Sequence, residues 1–129
     1  MNNQDEATEL TIELAKNLVA TMQSTDTSWL RAFVRFRMVE EDNWGCNGSY
    51  ETPDGVFLLG ALKHKQLYDG VNELGPRLRD ATSNGGKKFC VFLLTVDSKF
   101  NFNIDYEYCE PERWKISKLD GANGLPLGL

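Results

Sequence analysis

The sequence predicts an α+β domain: a single antiparallel sheet of about five strands with two main helices packed on one face, in the order αβββαββ. Three observations carry that prediction. From Lys88 to Val96 the chain is almost unbroken in apolar and β-branched residues (Phe89, Val91, Phe92, Leu93, Leu94, Val96), the mark of a strand covered on both faces. Asp97-Ser98-Lys99 turns it, and the return run alternates strictly. Phe100, Phe102, Ile104, Tyr106 and Tyr108 fall on one face, and Asn101, Asn103, Asp105 and Glu107 on the other. Two further segments, near the N-terminus and in mid-chain, repeat their apolar residues at three and four, which is helical spacing.

In chain order, the first helix runs from Glu6 to about Gln23, with Ala7, Leu10, Leu14, Leu18 and Met22 on its apolar face. Asp5, Glu6, Glu9 and Glu13 gather in its N-terminal half, where they oppose the positive end of the helix dipole. Ser24 to Ser28 end it. Trp29 to Val39 reads as a strand with Leu30, Ala32, Val34, Phe36 and Met38 on one side and Arg31, Arg35 and Arg37 on the other. Phe33 and Val39 interrupt the polar side, and Trp29, at the strand start, is expected in the core. Glu40 to Asp54 carries five acidic residues (Glu40, Glu41, Asp42, Glu51, Asp54) and no basic one. Gly45 and Gly48 place a hairpin turn there, with Ser49 to Thr52 in the second strand and Pro53-Asp54-Gly55 as a further turn. Val56 to Leu62 is a short third strand.

The second helix runs from about Lys65 to Ala81, with Leu67, Val71, Leu74, Leu78 and Ala81 on one face. Gly75-Pro76 inside it predicts a kink, or a break into two shorter helices, because proline removes a backbone hydrogen bond and clashes with the preceding turn. Ser83-Asn84-Gly85-Gly86 stops it. Beyond the hairpin come a proline turn, a short Arg113–Ile116 segment and a Gly/Leu tail. The reading is one domain over residues 1–120 and a mobile, dispensable tail over 121–129. The sheet face away from the helices is expected to stay wet.

At 129 residues the chain can bury one core. Its 14 basic and 19 acidic residues leave a net charge of −5, which argues against nonspecific binding to nucleic acid or anionic lipid and favours a basic partner. No apolar run approaches the roughly 20 residues of a membrane span. The start, Met1-Asn2-Asn3-Gln4-Asp5-Glu6, is polar and acidic where a signal peptide is basic and then apolar, so the expected location is cytoplasmic. Of three cysteines, Cys90 reads as a small core residue, Cys109 closes the polar face of the last strand, and Cys46 lies near glycines; none forms a Cys-x-x-Cys motif. With a single histidine, no metal site is expected.

Candidate chemistry is sparse. His64 is the residue that would titrate near neutrality, but it stands between Lys63 and Lys65 at a strand-to-helix junction and reads as a surface histidine. Asp105 and Glu107 share one strand face, roughly 7 Å apart by strand geometry. Paired carboxylates serve glycosidases, yet two on one exposed strand read as a solvated surface or a protein-binding patch. Asp97 reads as the residue that starts the hairpin turn. Gly85-Gly86 opens a strand, where a phosphate loop would lead into a helix with a lysine at fixed spacing. Trp44, beside Gly45 among the carboxylates, is either an exposed anchor for a basic partner or a buried core residue. No catalytic set and no cofactor is expected.

The Trp29 strand after an N-terminal helix, Asn72-Glu73-Leu74 through Leu78-Arg79, the hairpin Phe92 to Phe100, the run Phe102 to Glu107 and the closing Pro111-Glu112-Arg113-Trp114 together resemble the YezG-like family of immunity proteins. These are small cytoplasmic antitoxins encoded beside polymorphic and contact-dependent toxins. The resemblance covers most of the chain, with a serine where the family often has glycine in the hairpin turn. It implies neutralisation of a cognate toxin domain, typically a nuclease with a basic surface, by tight binding and without chemistry. The expected partner-binding residues are Glu40, Glu41, Asp42 and Trp44 on the acidic loop and Asn101, Asn103, Asp105 and Glu107 on the last strand. The competing readings are a small-ligand module or unrecognised enzyme on the open sheet face, and a structural adaptor.

Overall fold

The computed structural model describes residues 3–83 and 85–129, with Asn3 described by its backbone alone. Met1 and Asn2 of the polar N-terminus and Asn84 of the helix stop lie outside the described residues. The elements are α1 (Asn3–Gln23), β1 (Arg31–Glu40), β2 (Asn43–Thr52), β3 (Gly55–Leu59), α2 (Lys65–Ala81), β4 (Val91–Asp97) and β5 (Phe102–Glu107), followed by a short 3-10 turn at Leu119–Gly121. All strand pairs are antiparallel, in the spatial order β3-β2-β1-β4-β5. The domain is therefore α+β with one five-stranded sheet in the predicted element order.

The main core forms because both helices turn their apolar stripes onto one sheet face. Leu10, Leu14, Leu18 and Met22 of α1 and Leu67, Val71, Leu74 and Leu78 of α2 pack on Ala32, Val34 and Phe36 of β1 and Phe92, Leu94 and Val96 of β4, with Trp29 joining them. Phe89, Phe36 and Phe92 interlock, Phe36 lying stacked on Phe92 and edge-on to Phe89. Two close approaches explain two glycines. A Cβ at Gly75 would lie 2.4 Å from the Phe36 ring, and one at Gly48 would lie 2.5 Å from the Phe33 carbonyl oxygen.

That second glycine corrects the predicted hairpin. Gly45 and Gly48 are strand residues of β2, paired with Arg37 and Val34, and the turn falls at Glu41-Asp42. The glycine signal marked a tight strand crossing, not a reversal. The third strand ends at Leu59, short of Leu62, which is fully exposed. Helix α2 runs unbroken through Gly75-Pro76, held by the burial of Leu74, Gly75 and Leu78 on either side of the proline.

The sheet face away from the helices is not wet. Phe33, Val91, Leu93 and Cys90 are buried there beneath Trp114 and Ile116, with Leu125 packed against them. Arg35 fastens this cover by donating from Nε to the Arg113 carbonyl (2.8 Å) and from Nη2 to the Pro111 carbonyl (2.6 Å). Asn47 Nδ2 donates to the Ile116 carbonyl at 3.0 Å. The tail expected to lie free belongs to this cover: Gly124 and Pro126 are buried, and the Gly124 and Leu127 amides donate to the carbonyls of Ser117 and Lys115. Trp114 adopts φ 60°, a left-handed conformation that a bulky residue holds only when packing over-determines it.

The expected core face of β5 is covered only in part. Ile104 and Tyr106 are half-buried, whereas Phe100 and Phe102 are 58% and 47% exposed. This strand lies at the sheet edge, with no strand outside it.

Gly75→Ala tests the close approach. The substitution gains about 1 kcal/mol of helix propensity, but the methyl group meets the immobile Phe36 ring, and such overpacking costs about 1–3 kcal/mol. Denaturant titration should show net destabilisation; a more stable variant would mean the helix can lift away from β1. Truncation after Asp120 should lower the melting temperature by about 4 °C or more, the shift that roughly 1 kcal/mol produces in a domain of this size, because it removes Leu125 from the second layer and the backbone hydrogen bonds to the carbonyls of Lys115, Ser117 and Leu119. An unchanged melting temperature would show that the tail adds nothing to the second layer.

Candidate functional site

The acidic loop, free of basic residues in sequence, meets them in space. Glu41 Oε1 accepts from Arg79 Nη1 (3.0 Å) and Lys88 Nζ (3.2 Å), and these bonds hold its carboxyl below the usual range. Arg79 is itself buried. Its Nε donates to the Phe89 carbonyl at 2.8 Å and its Nη2 to the Val39 carbonyl at 3.4 Å, so one guanidinium ties the C-terminal turn of α2 to β1 and to the approach to β4. Glu51 pairs with Arg31 across β1 and β2. Of the five acids from Glu40 to Asp54, Glu40, Asp42 and Asp54 have no ion pair among the described residues, and all three are exposed.

Trp44 stands within β2 opposite Met38, where sequence placed it at a loop tip, and it is 40% exposed. It lines a groove of about 420 Å³ together with Arg35, Arg37 and Lys115. Its side chain shares the helix side of the sheet with Met38, while Arg35 and Arg37 point to the other face, so the strand and not the indole borders those cations. Cys46 lines the same groove, with its thiol pushed up to about 11 by burial.

On β5 the polar row divides by role. Asp97 starts the turn as expected, accepting from the Lys99 and Asn101 amides (2.9 and 3.0 Å) and from Asn101 Nδ2 (3.1 Å), bonds from Asn101 that lower its pKa. Asn101 thus serves the hairpin. Asn103 Nδ2 donates to Asp105 Oδ2 at 2.9 Å, and both side chains are exposed. Glu107 is a cap: its Oε2 accepts from the amides of Cys109 (3.0 Å) and Glu110 (3.2 Å), and its Oε1 from Arg113 Nη1 (2.7 Å). The Cys109 amide first, then the Arg113 guanidinium, pull its pKa down to about 2.

The eight predicted residues do not converge on one patch. Asn101 precedes β5 and Glu107 ends it, about 20 Å apart at strand rise. Glu107 shares the end of the sheet that carries the β1–β2 turn, since Arg37 faces Val91 and Val91 faces Glu107. What remains free is Glu40 and Asp42 at that end, and Asp105 with Asn103 in mid-strand. Sequence reasoning missed the cations that organise the site, Arg79 and Arg113, because each acts on a carboxylate or carbonyl remote in the chain or beyond a turn.

His64 lies at the N-terminal boundary of α2, its pKa lowered by partial burial and by Lys63. Among the described residues no group of three His, Cys, Asp or Glu side chains could hold a metal, and no helix is long and apolar enough to cross a membrane. No protein-family model matches the sequence, and no curated protein is found similar to it.

The Glu107 cap predicts a pH signature. A carboxyl titrating near 2 in the fold and near 4.5 when free stabilises the fold above 4.5, and that stabilisation is lost as pH falls from 4.5 through 2. Glu107→Gln should therefore lower the melting temperature at neutral pH, with the gap from the parent closing across that acid window. A gap independent of pH would assign the loss to shape and not to charge.

Proposed function

We propose that this chain is an immunity protein: a cytoplasmic antitoxin that neutralises a cognate cationic toxin domain, of the nuclease class, by binding alone. The observation that carries the reading is the acid that folding leaves unspent. Glu40, Asp42 and Asp105 stand exposed without a cation partner among the described residues, on a chain of net charge −5. A nuclease domain needs a cationic surface to hold phosphate, and an acidic inhibitor can occupy it. The resemblance of the hairpin and the closing Pro111–Trp114 segment to YezG-like immunity proteins supports the same conclusion. Complementary charge mainly speeds encounter and sets specificity, while buried aromatic contacts supply more of the affinity; Trp44, 40% exposed, is the aromatic nearest the free acids of the turn.

The partner-facing residues in this reading are Glu40, Asp42, Trp44, Asn103 and Asp105. Glu41, Asn101 and Glu107 support the surface by fixing the backbone beneath it. The distinction is testable against the toxin domain encoded beside this chain. Reversing Glu40, Asp42 and Asp105 to lysine should slow association by about tenfold or more at low salt and flatten its salt dependence, yet leave stability within about 1 kcal/mol, as expected for exposed charges. Stopped-flow association at low and high salt decides it. Equal rates for parent and variant at both would place the interface elsewhere.

A further inference from the structure

The β5 edge is open, and it is long and aromatic. Asp97 N–H donates to the Asn101 carbonyl at 3.0 Å, and Cys90 N–H to the Glu107 carbonyl at 2.7 Å. Pairing in an antiparallel ladder recurs at every second residue, so Asn103 and Asp105 also turn their main-chain groups toward β4. Phe102, Ile104 and Tyr106 turn theirs outward, where no strand accepts them. Beside this edge runs an apolar groove of about 410 Å³ between α1 and β5, lined by Ile12, Val19, Phe100 and Phe102. Ile12, Phe100, Phe102 and Tyr108 are each more than a third exposed. Edges of this kind are templates for another strand unless charge, proline or a cover blunts them. At the opposite edge, β3, the C-terminal segment packs beside the strand: Gly124 lies against Val56, and Lys118 Nζ sits 5.6 Å from the Phe57 ring centre.

We propose that β5 pairs with β5 of a second copy of this chain, antiparallel about a two-fold axis at Ile104, joining two sheets into one of ten strands. The strand is self-complementary in that register. Ile104 faces Ile104, so its outward N–H and C=O bond reciprocally to their equivalents, as a hydrogen-bonded pair requires. Phe102 faces Tyr106, which places aromatic against aromatic on the helix side. On the other side Asn103 faces Asp105 and Asn101 faces Glu107, so each carboxylate meets an amide. Moving the axis to Tyr106 would oppose Asp105 to Glu107, like charges directly across the strands, which is destabilising. An axis at Asn103 or Asp105 would bring together groups already bonded to β4. An axis at Phe102, the remaining outward residue, would set the Asp97–Asn101 turn against β5 and leave little strand paired, so strand overlap, charge and hydrogen bonding together select Ile104. The helix faces meet across the same axis, covering Ile12 and Val19. Asn103 and Asp105 meet across this axis and so belong to both proposed surfaces, whereas Glu40, Asp42 and Trp44 lie outside β5; a Phe102→Lys monomer that still binds the toxin therefore separates the two readings.

Sedimentation equilibrium over a range of concentrations tests the proposal. The parent should approach twice 14.6 kDa as concentration rises, and Phe102→Lys should stay at 14.6 kDa with unchanged circular dichroism. Ile12→Lys, on the helix side of the same groove, should act alike and serves if Phe102→Lys fails to fold. Hydrogen exchange on the parent gives a readout without substitution: the Ile104 amide should gain protection as the dimer forms, while the Tyr68 amide, in α2 and bonded to the His64 carbonyl, should not change. A parent that remains at 14.6 kDa at millimolar concentration overturns the proposal. So does a dimer that survives both lysine substitutions, or one in which the Ile104 amide exchanges as in the monomer.

Discussion

Burial of Phe33, Val91 and Leu93 on the side of the sheet away from the helices is the constraint on which the rest of the structure depends. β1 and β4 are neighbouring inner strands, and both present apolar side chains to both faces, so a layer of helices on one side leaves part of their apolar surface in water. The segment after β5 supplies the missing layer. Trp114, Ile116 and Leu125 come down on Phe33 and Leu93, and Arg35 and Asn47 satisfy carbonyls of a segment that makes no ladder of its own. Covering a polar strand face has a consequence at Ser49, which is fully buried with its hydroxyl unpartnered. Three layers, helix, sheet and C-terminal cover, replace the two that a simple α+β domain would have.

The charge arrangement follows from the same geometry. Where a backbone segment ends without a strand partner, a charged side chain closes it. Arg79 holds the carbonyls of Val39 and Phe89 and is neutralised by Glu41; Glu107 receives the amides of Cys109 and Glu110 and is neutralised by Arg113. Arg113 in turn lies 4.7 Å over the Trp114 ring, which couples the Glu107 cap to the cover on the second face. Counted along the sequence, these four groups carry no sign of that role.

Much of the fold was legible in the sequence because it rests on period. The helical stripes of α1 and α2, the alternation of β1 and β5 and the Asp97 turn all follow from spacing, and all stand where spacing put them. What period cannot express was lost. Gly48 carried a turn signal, but its cause is a carbonyl on the neighbouring strand, a long-range contact invisible to local reasoning. The second face was legible in principle: Val91 and Leu93 alternate with Phe92 and Leu94, and a strand apolar at both parities requires a cover. The apolar residues still unassigned were Trp114, Ile116 and the tail leucines. Treating Gly121–Leu129 as a tail because it is rich in glycine hid that match. The candidate surface was half legible, since composition identified the acids and could not separate those with partners from those without.

That separation has a further consequence for a protein whose proposed task is to bind. Glu41 and Glu107 cannot change without loosening a turn, an α2 terminus or the C-terminal cover. Glu40, Asp42 and Asp105 touch nothing that the fold needs. Exposed charges of this second kind contribute little to stability but govern encounter rate and partner choice. A binding surface built from them can change its specificity while the scaffold stays the same, and the residues that would have to stay are the ones buried under a hydrogen bond. On the proposed reading, recognition falls on positions that folding leaves unconstrained, at the sheet end and mid-strand on β5.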